Sequence, residues 1–201
     1  MKRLFLFLAL TLGLQTAGFS QDADFQKAVS KFKTSSSATA TVTRYKHNAA
    51  LTKDVVSQGT LTMKKPSYVC IDVEANDTKK ASHDLLIMEG SKFTMVTKGK
   101  SHPASSKASS QFRTFQAVFE SILAGGGTDF TKYPDLTLTK QGADIVISIT
   151  PTPADKKEER RMMFTSFVLT IDSKTSALKS LRFNERKGNY TDYQFSDFKF
   201  K

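Results

Sequence analysis

Residues 57–73, SQGTLTMKKPSYVCIDV, leave this chain little freedom in what it folds into. Gly59, Leu61, Met63 and Lys65 share one parity. Beyond Pro66, Val69, Ile71 and Val73 take one face while Tyr68, Cys70 and Asp72 take the other. Alternation with a period of two makes half-buried strands. Pro66 cannot donate a ladder hydrogen bond and pushes Lys65 toward extended geometry, so the Lys-Lys-Pro step marks a corner between two strands. The stretch predicts two neighbouring strands with one greasy face and one wet face.

The same alternation recurs along the chain. In residues 38–45, ATATVTRY, Ala38, Ala40 and Val42 alternate with threonines, and residues 85–88 and 93–96 make a hairpin about Gly90. Leu136 and Leu138 fall in phase before a turn at Gln141-Gly142, and Ile145, Ile147 and Ile149 line one face after it. Three more strands follow at 163–172, 177–185 and 189–199, the last with Thr191, Tyr193 and Phe195 in register. About ten strands at short, even spacing, with no βαβ alternation, predict a mainly β chain with some α (α+β). The expected architecture is a curved antiparallel sheet forming an incomplete β-barrel.

Two helices accompany the sheet. Residues 22–34 place Phe25, Ala28, Val29 and Phe32 on one stripe, with Asp22 or Asp24 as cap. Further on, Phe112, Phe115, Phe119 and Ile122 recur at i, i+3, i+7 and i+10, flanked by Val118 and Leu123 and stopped by Gly125, Gly126 and Gly127. On its own this aromatic stripe reads as ordinary core, packing on the sheet. Residues 99–110 and 151–161 read as loops, the first rich in Ser, the second charged.

The N-terminus bears on compartment. Lys2 and Arg3 precede an apolar run at 4–14, too short to span a bilayer, and small residues follow near Gly18-Phe19-Ser20. This predicts a cleavable signal over residues 1–20, a soluble exported protein without a lipid anchor, and one domain over 21–201. Removing the leader leaves 28 basic against 19 acidic residues, a formal +9, which favours anionic partners such as membranes. No recognition-helix, zinc or aromatic-basic motif accompanies that charge, so nucleic acid is not expected as a partner. The lone Cys70 cannot form an internal disulfide; in an oxidising compartment it is either covered by a neighbour or a dimerisation liability.

The polar residues carry little that points to catalysis. His47, His83 and His102 lie far apart in loop-like contexts without metal-ligand spacing. There is no nucleophile elbow and no phosphate-binding glycine loop, and Glu158-Glu159 sits in a charged run with nothing to raise a carboxyl toward neutrality. The expectation is a protein that is not an enzyme and needs no cofactor or metal.

The Gly59-to-Ile71 pattern, a small-x-Gly strand running into a basic-basic-Pro corner and an apolar-alternating strand, resembles the LolA family of periplasmic outer-membrane lipoprotein carriers. LLIMEGSKFTMV, residues 85–96 with its Glu89-Gly90 turn, resembles the family's next hairpin. The resemblance is one of pattern and order and covers about residues 22–199. It implies a half-barrel lined by Val42, Leu61, Met63, Val69, Ile71, Phe93, Met95, Ile145, Ile147 and Ile149, with small inward residues on the first strand leaving room. Two or three helices would act as its lid, the stripe of Phe112, Phe115, Phe119 and Ile122 among them. It further implies a monomer in the periplasm that carries acylated lipoproteins or other lipids between an inner-membrane release complex and an outer-membrane acceptor, touching membranes transiently. Each sheltered methylene would contribute roughly 0.8 kcal/mol, on the order of 10 kcal/mol for one chain.

Two departures qualify what the resemblance implies. Many relatives carry arginine before the corner proline, a residue associated with holding the lid and releasing cargo. Lys65 stands there in this chain, keeping the charge and losing the bidentate fork. It reads as a looser lid tie or as a simple corner residue. The chain also stops at Lys201, short of the tail of longer relatives. A lipid-sensing or scaffold module on the same fold, carrying nothing, is the competing reading.

Overall fold

A computed structural model describes residues 17–75, 82–105 and 110–201, so most of the expected leader lies outside the described residues. The alternating segments form strands β1 Ser37–His47, β2 Val55–Lys64, β3 Tyr68–Glu74, β4 His83–Glu89, β5 Lys92–Thr97, β6 Lys100–Ser105, β7 Leu136–Gln141, β8 Asp144–Ile149, β9 Phe164–Asp172, β10 Leu178–Glu185 and β11 Tyr190–Phe200. All join one antiparallel sheet in the order β6-β5-β4-β3-β2-β1-β11-β10-β9-β8-β7. Since β6 and β7 are both edges, the sheet is unclosed, an incomplete barrel of eleven strands among the described residues.

The extra strand is β6. Its Ser- and Pro-bearing sequence reads as a loop, yet it pairs with β5 and sets Pro103 opposite Thr94. An edge strand tolerates proline because one of its sides has no ladder to maintain.

The Lys-Lys-Pro corner lies where expected, between β2 and β3, and contains a cis Lys65-Pro66 bond. Across it, Leu61 pairs with Ile71 and Met63 with Val69, which puts all four on one face. Gly59 faces Val73 so closely that a Cβ there would lie 2.0 Å from the Asp72 carbonyl oxygen. Only glycine allows this approach of the two strands.

Among the described residues four α-helices accompany the sheet: α1 Ala17–Ala28, α2 Ser30–Thr34, α3 Arg113–Ala124 and α4 Lys156–Arg161. The single N-terminal helix expected from the sequence is broken at Val29 (φ −104°, ψ 9°). The break redirects the stripe, so that Phe25 meets Phe130 edge-on at 5.0 Å while Phe32 meets Phe200 at 4.9 Å. Asp22 and Asp24 lie inside α1 and cap nothing; Asp24 instead pairs with Lys140 at 2.9 Å. Within the expected 151–161 loop, Asp155 caps α4 by accepting from the Glu158 N–H at 2.7 Å, and the Glu158 carboxylate accepts from the Ala154 N–H. That arrangement is a capping-box variant, with the back-bond going to the residue before the cap. Among the described residues no helix is long and apolar enough to cross a membrane.

Candidate functional site

The concave face of the sheet is the candidate site. Val42, Leu61, Met63, Val69, Ile71, Phe93, Ile145, Ile147 and Ile149 all lie on it, each no more than 2% exposed, and Met95 is half-buried against the same cluster. Ala38 and Ala40 share this face and are also covered.

Helix α3 covers it. The chain leaves one sheet edge at β6, crosses, and re-enters at the other edge as β7, so α3 spans the opening between the two edges. Phe112 precedes the helix and stacks on Phe93 of β5 with ring centroids 4.1 Å apart. Phe115 touches Phe93 at 6.1 Å, Phe167 of β9 at 4.8 Å and Phe183 of β10 at 5.4 Å. One side chain thus ties the two halves of the sheet together, and aromatic pairs at these separations add about 0.5–1.5 kcal/mol each beyond area burial. Phe119 and Ile122 complete the stripe and are equally buried.

The room expected between wall and helix is taken up by these rings. A cavity beneath α3, lined by Val69, Met88, Gln116, Phe119 and Leu123 among others, has a volume of about 10 Å³. That is space for roughly one water, against about 300 Å³ or more for an ordinary ligand pocket.

A few polar contacts anchor the cover. Gln111 accepts from the Met163 and Phe164 N–H groups at 3.2 and 3.4 Å, and the Thr114 hydroxyl donates to Asp135 at 2.7 Å. Gln116 donates to the Gly90 carbonyl at 3.3 Å, at the hairpin turn singled out in the sequence. Its amide oxygen and the Ser121 hydroxyl are buried without partners, a cost of about 1–3 kcal/mol apiece borne by the closed arrangement. None of these glutamine and threonine contacts is legible from periodicity, because the partners lie 21 to 53 residues away.

Lys65 reaches the other end of the cover. Its Nζ donates to the Lys33 carbonyl at 2.8 Å, at the last turn of α2, where a cation also complements the helix dipole. The same Lys33 packs against Gly125, whose left-handed geometry (φ 77°) caps α3 with Gly125 and Gly126 donating to Ile122 and Ser121 carbonyls. Corner, α2 and the end of α3 form one contact chain.

Polar chemistry elsewhere is sparse. His47 and His83 pair with Asp54 and Asp72 at 2.7 and 2.6 Å near the surface. Among the described residues no cluster of His, Cys, Asp and Glu could hold a metal. Cys70 lies half-buried on the outer face, and burial pushes its thiol pKa up, away from the reactive thiolate.

No family model matches the sequence, and no curated protein is significantly similar to it. Among solved structures, the chain is similar to a LolA superfamily protein from Nitrosomonas europaea, at 11% identity over 89% of this chain and 92% of that one, with a TM-score of 0.40. A Vibrio parahaemolyticus domain described as an outer membrane lipoprotein-sorting protein gives 14% identity, 92% coverage of each chain and a TM-score of 0.43. Lipoprotein LppX of Mycobacterium tuberculosis gives 11%, 90% of this chain, 96% of that one and 0.40. These are similarities of overall shape.

Proposed function

We propose that this protein is a periplasmic carrier that shelters acyl chains against its concave wall, ferries lipoproteins from inner to outer membrane, and is closed by α3 when empty. The observation that carries the reading is the cover: a helix between two free sheet edges, resting on the wall through a stripe of phenylalanines. Uncovering Phe112, Phe115, Phe119 and Ile122 costs about 1.5–3 kcal/mol each, roughly 6–12 kcal/mol together, while sheltering an acyl chain returns on the order of 10 kcal/mol. The two states are close enough in free energy to exchange. Lys65 acts as the tie between corner and lid, loosened when cargo enters. Residues 1–20 serve as the export leader and 21–201 as the carrier domain; the +9 charge favours brief contact with anionic membranes near a release complex and an acceptor.

The filled interior supports a second reading, a sensing or scaffold module that carries nothing. Incubating delipidated protein with membranes containing a triacylated lipoprotein separates the two. A carrier extracts the lipoprotein into a soluble one-to-one complex; a scaffold leaves it in the membrane.

A further inference from the structure

At one end of the concave wall the apolar rows stop at a buried arginine. Arg44 continues the Ala38, Ala40, Val42 parity of β1 and is only 6% exposed. It lies opposite Ser57 on β2 and Tyr193 on β11. Its Nη1 donates to Asp84 at 2.7 Å, and its Nη2 donates to the Ser57 hydroxyl at 3.0 Å and, weakly, to the Glu74 carbonyl at 3.5 Å. Nε is buried with no partner. Asp84 therefore holds the guanidinium through a single oxygen, its other oxygen accepting from the Lys98 N–H at 3.2 Å. The Nε–Nη2 edge, which offers two parallel N–H groups, carries no carboxylate.

A buried arginine left with an unmet donor is costly, and this edge, beside the buried Tyr193 hydroxyl, matches a carboxylate or phosphate in bidentate geometry once Ser57 gives way. We propose that Arg44 anchors the anionic head of an amphiphile whose chain runs down the wall over Val42, Ala40 and Ala38. The ligand's oxygens displace Ser57 from Nη2 and satisfy Nε. Six residues of strand give about 20 Å of wall below the head, comparable with an extended long acyl chain. The inference rests on the concave face being a lipid wall, and goes beyond the lipoprotein reading by adding a second class of cargo, single-chain amphiphiles with an anionic head.

Titration calorimetry of the delipidated protein with palmitate, hexadecyl phosphate and methyl palmitate tests it. The expected result is at least tenfold tighter binding of the charged amphiphiles, with the two charged arms showing whether carboxylate or phosphate is preferred. Replacing the whole ion pair (Arg44→Met with Asp84→Leu) should remove that preference while leaving methyl palmitate within about twofold. Arg44→Lys, which keeps charge and loses the fork, should reduce it and serves if the double variant does not fold. Equal binding of charged and neutral chains, or a preference that survives both variants, overturns the head-group assignment and leaves the carrier reading intact. Failure of all three to bind overturns both.

Discussion

Shortening Phe115 to alanine separates a cover from a wall. The ring is 1% exposed and meets Phe93, Phe119, Phe167 and Phe183, so truncation removes contacts to both halves of the sheet. A buried Phe→Ala change costs about 3–5 kcal/mol, and little room exists for neighbours to absorb the gap. Urea unfolding should report a loss in that range. If the lost contacts belong to the closed state only, opening becomes easier by up to the same amount. At a factor of ten per roughly 1.4 kcal/mol, apparent lipid affinity should then rise by tenfold or more in the folded protein. Stability falls while binding tightens. A parallel fall in both would mean that the ring lines the cargo path instead of covering it, and a stability loss below about 1 kcal/mol would refute the packing argument itself.

Further outcomes follow from single contacts. Ile71→Asp places an unpaired charge in the centre of the wall and should abolish lipid uptake, read by the same calorimetry; retained uptake would exclude this face as the binding surface. Gly59→Ala forces β2 away from β3 and should lower the urea midpoint by the equivalent of several kcal/mol, with unchanged stability contradicting the close approach. Lys65→Ala loses one exposed hydrogen bond, so stability should change by less than about 1 kcal/mol while stopped-flow lipid exchange speeds up; an unchanged rate would reduce Lys65 to a corner residue. Burial pushes the Tyr193 hydroxyl up to about 12 from an ordinary 10.0. Its protonated form is favoured in the fold, so its contribution is intact below pH 10 and is lost as the unfolded chain ionises first. Stability should fall by about 3 kcal/mol between pH 10 and 12, and Tyr193→Phe should flatten that slope.

The sheet was legible because its signal is local. Alternation at Leu61-Met63, Val69-Ile71 and Ile145-Ile147-Ile149 sets which side chains share a face, and the structure buries all of them on one wall. β6 was hidden by Pro103 and its serines, residues that oppose a central strand but suit an edge. Helix α4 was hidden by its charge, although Asp155 and Glu158 stand at capping-box spacing. The break at Val29 was not legible, since the helical stripe continues through it in sequence while the chain turns to reach Phe200. The filled interior had no sequence signal at all: a pattern tells which face is apolar, not what lies against it. Arg44 shares the parity of Val42, but its partners Ser57, Glu74 and Asp84 come from β2, β3 and β4, and only the fold brings them together.

The central claim is that lipid and α3 compete for one surface, and a distance across the site tests it most directly. Spin labels on Glu120 of α3 and Thr60 of β2, both exposed, in a Cys70→Ser background, report the separation of helix and sheet by electron–electron resonance. Saturating palmitate should move the distance distribution outward, and washing the lipid out should restore it. Stoichiometric lipid binding with an unchanged distribution would contradict the account.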